Sequence, residues 1–224
     1  MTTTLHFKTH NNLVYEGFFD ALIHGDRKKC SEITGKLLDN DVTLEDVYEN
    51  IIRRALYEVG DLWERGKISV ASEHLASATA ESLINEFYSH IVSGNKLPDT
   101  VLVGCVENEY HQIGIKMVSD IFEKNGWNTH FLGASTPTLE LVSFIDQTRP
   151  DMVALSLSLY FNLPYLDKML NALDVDFPDL PVMVGGQAFR HGGKEVIEKH
   201  PNAIFQKDLK SLNFFLSNYK AKGL

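Results

Sequence analysis

Apolar positions fall into two rhythms along this chain, and the switch between them divides it. From Leu13 to His24, LVYEGFFDALIH spaces its apolar residues along one helical face, and Gly25 ends the run. Asp26 can cap the next segment, RKKCSEITGKLLDN, in which Cys30, Ile33, Leu37 and Leu38 share a face. Thr43 with Asp46 is placed to cap LEDVYENIIRRALYEVGDLWERG, where Val47, Ile51, Ala55, Val59 and Leu62 predict one long helix closed by Gly66. Ser69 then caps VASEHLASATAESLINEFYSHIVSG, which runs to Gly94. Four helices on short links are the pattern of an antiparallel bundle, with Phe18, Phe19, Phe87 and Tyr88 read most simply as core.

After NKLPDT, residues 95–100, short apolar strands alternate with amphipathic helices. VLVGCV precedes a helix over 113–125, THFLG precedes TLELVSFIDQT, and MVALSLSL precedes LPYLDKMLNAL. VMVGG precedes GGKEVIEKH, and AIFQ precedes LKSLNFFLSNYKA. Apolar strands interleaved with helices predict a parallel sheet covered on both faces. The expected architecture is α/β with an all-α domain: a four-helix bundle over residues 1–97, then a flavodoxin-like (Rossmann-type) five-stranded parallel sheet over 98–224. Ligands of such sheets sit at the carboxyl ends of the strands. His111 follows the first strand, Ser156 and Ser158 lie in the third, and Gly185-Gly186 follow the fourth.

Composition narrows the function classes. A formal net charge of −9 argues against a nonspecific grip on nucleic acid, which needs Lys and Arg to neutralise phosphates. Cys30 and Cys105 fall in different predicted domains and suggest neither a disulfide scaffold nor a zinc site, as expected in a reducing cytoplasm. The opening MTTTLHFKTHNN does not read as a signal peptide, and no apolar run approaches the ~20 residues of a membrane span. A soluble, cytoplasmic protein without membrane contact is the expectation.

The chemistry concentrates in Glu109-Tyr110-His111-Gln112-Ile113-Gly114, an E-x-H-x-x-G sequence at a strand-to-helix turn. A metal-bound imidazole uses one nitrogen for the metal and donates its other N–H, commonly to a carboxylate that fixes tautomer and direction. Glu109, two residues away on the same loop, is in reach, and Gly114 removes a side chain where something bulky approaches. Alone, His111 is as readily an ordinary loop histidine.

Together with a serine-bearing third strand and Gly-Gly after the fourth, this motif resembles the D-x-H-x-x-G signature of cobalamin-binding domains. The resemblance implies that His111 is the lower axial ligand of cobalt, displacing the cofactor's own dimethylbenzimidazole. It makes Glu109 the hydrogen-bonding partner of His111, and Ser156, Ser158, Gly185 and Gly186 the lining of the groove for the freed nucleotide tail, with Tyr160 and Gln187 as further candidates. Glu for Asp at the first position changes reach by one methylene, and the photoreceptor branch of the family also uses Glu there. A second motif, Trp63 with Glu73-His74 (W-x₉-E-H), is similar to the cap of the CarH-type, adenosylcobalamin-dependent light-sensitive repressors. Carried over, Trp63 covers the upper ligand, Glu73 accepts from adenosine hydroxyls, and His74 lines the same pocket. Taken singly, Trp63 reads as bundle core, Glu73 and His74 as bundle edge, Ser156 and Ser158 as small polar filler, and Gly185-Gly186 as a plain turn.

Two departures shape the expected function. Few residues precede the first predicted helix, so no helix-turn-helix domain and no direct DNA binding are expected. The residue after the cap tryptophan is Glu64 where CarH-type proteins carry the histidine that captures cobalt after photolysis. The chain therefore resembles a stand-alone light sensor. The photocobilins, which hold a bilin such as biliverdin beside cobalamin, share that description. The expected activity is light sensing through adenosylcobalamin, held between the two domains and read out by an effector protein or by self-association, not enzymatic catalysis. The alternatives are a corrinoid methyl carrier serving a methyltransferase and a haem- or cobalamin-binding antirepressor.

Overall fold

The computed structural model describes residues 2–92, 94–190 and 192–219, with side chains from residue 12 onward. Two compact units divide at His90 and Ile91. The segment that the sequence assigns to the bundle up to residue 97 thus goes partly with the second unit, where the Leu97 N–H donates to the Gly126 carbonyl at 2.8 Å.

The first unit is helical: α1 (Thr2–Ile23), α2 (Arg27–Asp39), α3 (Leu44–Val47) continuing through a π-helical turn (Tyr48–Arg53) into α4 (Arg54–Glu64), then α5 (Val70–Glu86) and the short α6 (Tyr88–Ile91). The caps are those the sequence offers: Asp26, Thr43 and Ser69 each accept a backbone N–H from the first turn of α2, α3 and α5. Two ends differ. α1 starts at Thr2 rather than Leu13, since extending a formed helix costs little per residue. α5 stops at Glu86 rather than Gly94, where the Phe87 N–H turns back to the Ile84 carbonyl. Phe18, Leu22, Tyr48, Ile52, Leu83, Ile84 and Phe87 fill the core. Phe19 is half-buried beside it, but Tyr88, expected in that core, is 60% exposed on α6.

The π turn explains a detail of the long helix. Val47, Ile51, Ala55 and Val59 are all buried although they recur at strict four-residue spacing. Such spacing drifts about 40° per step around an ideal α-helix. The wider i→i+5 turn takes up the drift and keeps the stripe on the core.

The second unit alternates strands and helices: β1 (Thr100–Cys105), α7 (Ile113–Lys124), β2 (Asn128–Gly133), α8 (Thr138–Thr148), β3 (Met152–Ser156), α9 (Leu163–Asp176), β4 (Val182–Gly185), α10 (Lys194–Ile197), β5 (Ala203–Phe205) and α11 (Leu209–Ser217). All five strands are parallel in the order β2-β1-β3-β4-β5, as the alternation predicts. β3 is buried throughout, and its Val153 and Leu155 pack with Leu166, Met169 and Leu170 of α9. Register sets Cys105 beside Ser156 and Ser156 beside Gly185, so the loops leaving β1, β3 and β4 start side by side. The strand order reverses between β1 and β3, the position where doubly wound sheets open a crevice. Among the described residues no helix is long and apolar enough to cross a membrane.

Candidate functional site

The loop from Val106 to Gln112 leaves β1 at this switch point and carries His111. Glu109 is its anchor. The carboxylate is completely buried, and one oxygen, Oε1, accepts from the His111 ring Nδ1 at 2.5 Å and the His111 backbone N–H at 3.0 Å. The other, Oε2, accepts from the backbone N–H groups of Ser158 at 2.9 Å and Leu159 at 2.8 Å. Burial alone would raise the Glu109 pKa, but these four hydrogen bonds outweigh it and hold the group at about 2. An ionised Glu109 can only accept, so Nδ1 carries a proton, and in the neutral ring the lone pair then belongs to Nε2. The ring itself is 59% exposed. A neutral imidazole with its tautomer set by a buried carboxylate is a ready metal ligand.

Around this pair the β1–α7 loop is tied to its neighbours. The Asn108 N–H donates to Ser135 Oγ at 3.1 Å, its carbonyl accepts from Asn162 Nδ2 at 3.1 Å, and the Glu109 carbonyl accepts from the Ser135 N–H at 2.8 Å. Asn108 and Ser135 both hold positive φ, 66° and 48°, a conformation that these bonds must maintain. The Glu107 carboxylate accepts from the hydroxyl and backbone N–H of Thr138 and from Lys168 Nζ, and these hydrogen bonds lower its pKa. The Cys105 thiol ends β1 with Sγ 3.7 Å from the His111 carbonyl, and burial pushes its pKa to about 12.

The remaining expected residues of this unit fall into four situations. Gly114 lies in the first turn of α7, and a Cβ built there would meet nothing within 4 Å among the described residues. The protein's own packing does not call for this glycine, which suits a site where a bulky group approaches. Gly185 and Gly186 are the opposite case. A Cβ on Gly186, whose φ is +122°, would lie 2.2 Å from the Leu157 carbonyl oxygen, and one on Gly185 would lie 2.9 Å from that of Gln206. Backbone packing within the domain therefore requires both, as the plain-turn reading has it. Tyr110 is 69% exposed, Gln112 and Ile113 are partly buried where α7 begins, and Tyr160 and Gln187 start short 3₁₀ turns after β3 and β4. Ser156 is buried at the end of β3, but Ser158 is not in that strand as expected: it lies in the loop beyond, and the atom that binds Glu109 is its amide.

In the helical unit, Trp63 sits in the last turn of α4 and is 47% exposed, so it is not core packing. A Schellman closure follows it, with Gly66 at φ 64° and hydrogen bonds from Gly66 to Trp63 and from Lys67 to Leu62. Ser69 caps the partner helix three residues after Gly66, which puts Glu73 and His74 in the first turns of α5, at the same end of the α4–α5 pair. Glu73 accepts from Ser77 Oγ at 2.7 Å and is 2.6 Å from His74 Nδ1.

Sequence reasoning missed Glu107, Asn108, Ser135, Thr138, Asn162 and Lys168. The Asn108 backbone shape has a signal, since Asn is among the residues that tolerate positive φ. The Glu107 contacts, made to residues 138 and 168, have none.

The comparisons agree with this geometry. Two family models, each described as a B12 binding domain, match residues 14–87 and 99–206. The chain is 30% identical over 179 residues to the HTH-type transcriptional repressor CarA of Myxococcus xanthus, a match covering 78% of this chain and 56% of that protein. It is 26% identical over 138 residues to dimethylamine corrinoid protein 3 of Methanosarcina acetivorans, covering 61% of this chain and 64% of that one. These curated relatives are thus matched over less than two thirds of their length. Among solved structures, the Methanosarcina barkeri monomethylamine corrinoid protein superposes with a TM-score of 0.79 over 93% of this chain and 100% of that one, at 14% identity, a likeness of fold. With B12-binding models matched in both units and an imidazole–carboxylate pair at the sheet's switch point, the chain belongs to the cobalamin-binding protein family.

Proposed function

We propose that this protein is a light sensor that binds adenosylcobalamin with His111 as the lower cobalt ligand. Cobalamin, when bound, supplies visible-light absorption and a light-labile upper cobalt–carbon bond. The chain's part is to hold and to report. By accepting from Nδ1, Glu109 holds the His111 ring oriented and leaves Nε2 as the ring atom available to cobalt, while the open space beside Gly114 admits the macrocycle. Trp63, Glu73 and His74 would serve the upper-ligand side, Glu73 as acceptor for adenosine hydroxyls. Contacts that Trp63 and Glu73 make in the dark and lack in the light supply the differential free energy that any switch needs. The output is a change in self-association or in affinity for an effector protein. The observation that carries this reading is the indole of Trp63, left half-exposed one helix turn from a closed C-cap with Glu73 held at the same end of the helix pair. The 30% identity to CarA over most of this chain supports it.

The test is to add adenosylcobalamin in darkness, illuminate, and follow absorbance and elution volume together, with and without biliverdin as a second chromophore. A light-dependent change in both is expected, and identical spectra and elution volumes in dark and light refute the proposal. A second reading, a corrinoid methyl carrier, is favoured by the 26% match to the dimethylamine corrinoid protein. Enzyme-dependent methyl transfer from the methylcobalamin-loaded protein to an acceptor would establish it instead.

A further inference from the structure

The loop that carries His111 has a second holder, separate from Glu109. Glu107 lies four residues before the imidazole, and its carboxylate reaches away from it, across to two helices. One oxygen accepts from Thr138 Oγ1 at 2.5 Å, from the Thr138 backbone N–H at 3.2 Å and from Lys168 Nζ at 2.9 Å. The residue at the N-cap of α8 is Pro137, which makes no side-chain cap bond, so the first turn of that helix takes its acceptor from another element. Glu107 supplies it, with negative charge at the end of the helix that favours it. The same oxygen pairs with Lys168, on the helix whose Met169 Sδ receives the Glu107 N–H at 3.2 Å.

The next two residues continue the attachment. Asn108 and Glu109 bond through their backbones to Ser135, and Asn108 is also held by the buried Asn162. From Glu107 to Glu109 every residue of the loop is thus bound to the elements on either side before the chain reaches His111. We infer that Glu107 is a positioning residue for His111: by joining the start of α8 to Lys168 of α9 it fixes the base of the loop whose tip presents the imidazole. The inference rests on the reading of His111 as the cobalt ligand, though its first consequence is visible without any cofactor.

Hydrogen exchange on the cofactor-free protein reads it directly. The His111, Ser158 and Leu159 amides, all bonded to Glu109, should exchange at least tenfold faster in Glu107→Ala, while the strand amides of Val153 and Val184 keep their wild-type rates. A purely structural loss would move both sets together. With hydroxocobalamin as probe, Glu107→Ala should bind about tenfold more weakly yet keep a base-off, histidine-bound spectrum, in line with the loss seen when a group supporting a metal ligand is removed. Glu107→Gln, which retains an acceptor for Thr138, should recover part of both effects, and Lys168→Met should show the same local pattern if Glu107→Ala fails to fold. Unchanged loop exchange, or equal acceleration of loop and strand amides, overturns the role of Glu107. Hydroxocobalamin binding to His111→Ala with the wild-type spectrum overturns instead the assignment of His111 and leaves the exchange result to be judged on its own.

Discussion

Replacing Glu109 by Gln isolates what the buried carboxylate does, because shape is kept and charge is removed. Each carboxylate oxygen accepts two N–H groups, Oε1 from His111 and Oε2 from Ser158 and Leu159. A carboxamide has one oxygen, so whichever way it turns, its NH₂ faces two donors. Lowering Glu109 from its usual 4.5 to about 2 on folding corresponds to about 3 kcal/mol at neutral pH. For a domain of this size that loss should lower the melting temperature by roughly 6–12 °C. The sign with pH follows from the depressed folded value. The stabilisation is complete above the unfolded value of 4.5 and is lost as pH falls through about 2. Calorimetry of the cofactor-free proteins should therefore show a constant gap between wild type and Glu109→Gln near neutrality, closing on acidification. Hydroxocobalamin affinity of the variant should fall roughly 10–100-fold. Melting temperatures within about 1 °C of each other at pH 7, or a gap that persists unchanged in acid, refute the reasoning.

The two kinds of glycine give opposite expectations. Gly186→Ala, with its Cβ 2.2 Å from the Leu157 oxygen at φ +122°, should cost more than about 3 kcal/mol in urea unfolding. Gly114→Ala meets open space and should leave cofactor-free stability unchanged or slightly raised, while weakening cobalamin binding in equilibrium titration. Trp63→Ala should change cofactor-free stability by less than about 1 kcal/mol, since the indole is 47% exposed, yet alter the rate of light-induced absorbance change with adenosylcobalamin bound. Cys105, buried and pushed to about 12, and Cys30, pushed to about 11, should both resist iodoacetamide at pH 8 until the protein is unfolded, as mass spectrometry would show.

The parallel sheet and the bundle were legible because their signals are local: strand and helix periodicity, and cap residues such as Asp26, Thr43 and Ser69 beside the turns they close. The pairing of Glu109 with His111 was legible for the same reason, both groups standing on one loop. What Glu109 does beyond that loop was not. Its second oxygen is bound by backbone amides some fifty residues away, and an amide carries no residue-specific signature. Ser158 illustrates the gap, since its hydroxyl drew attention in the sequence while its N–H makes the bond. Tyr88 was misplaced because a helix assumed to continue to Gly94 breaks after Glu86 and turns the ring outward. Trp63 was singled out by its order relative to Glu73, and only the fold shows that its indole is uncovered.

The π turn between Tyr48 and Arg53 has a consequence for how this chain can change length over evolutionary time. Such a turn holds one residue more than the α-helical path needs, and the exposed Asn50 is the member of it that touches the core least. A relative lacking a residue there would close into ordinary α-helix and keep Trp63 on the same side. A deletion further along, within Arg54–Glu64, has no such slack and would swing the indole by roughly 100°. Insertions and deletions in this helix should therefore be confined to its π segment wherever the tryptophan is retained.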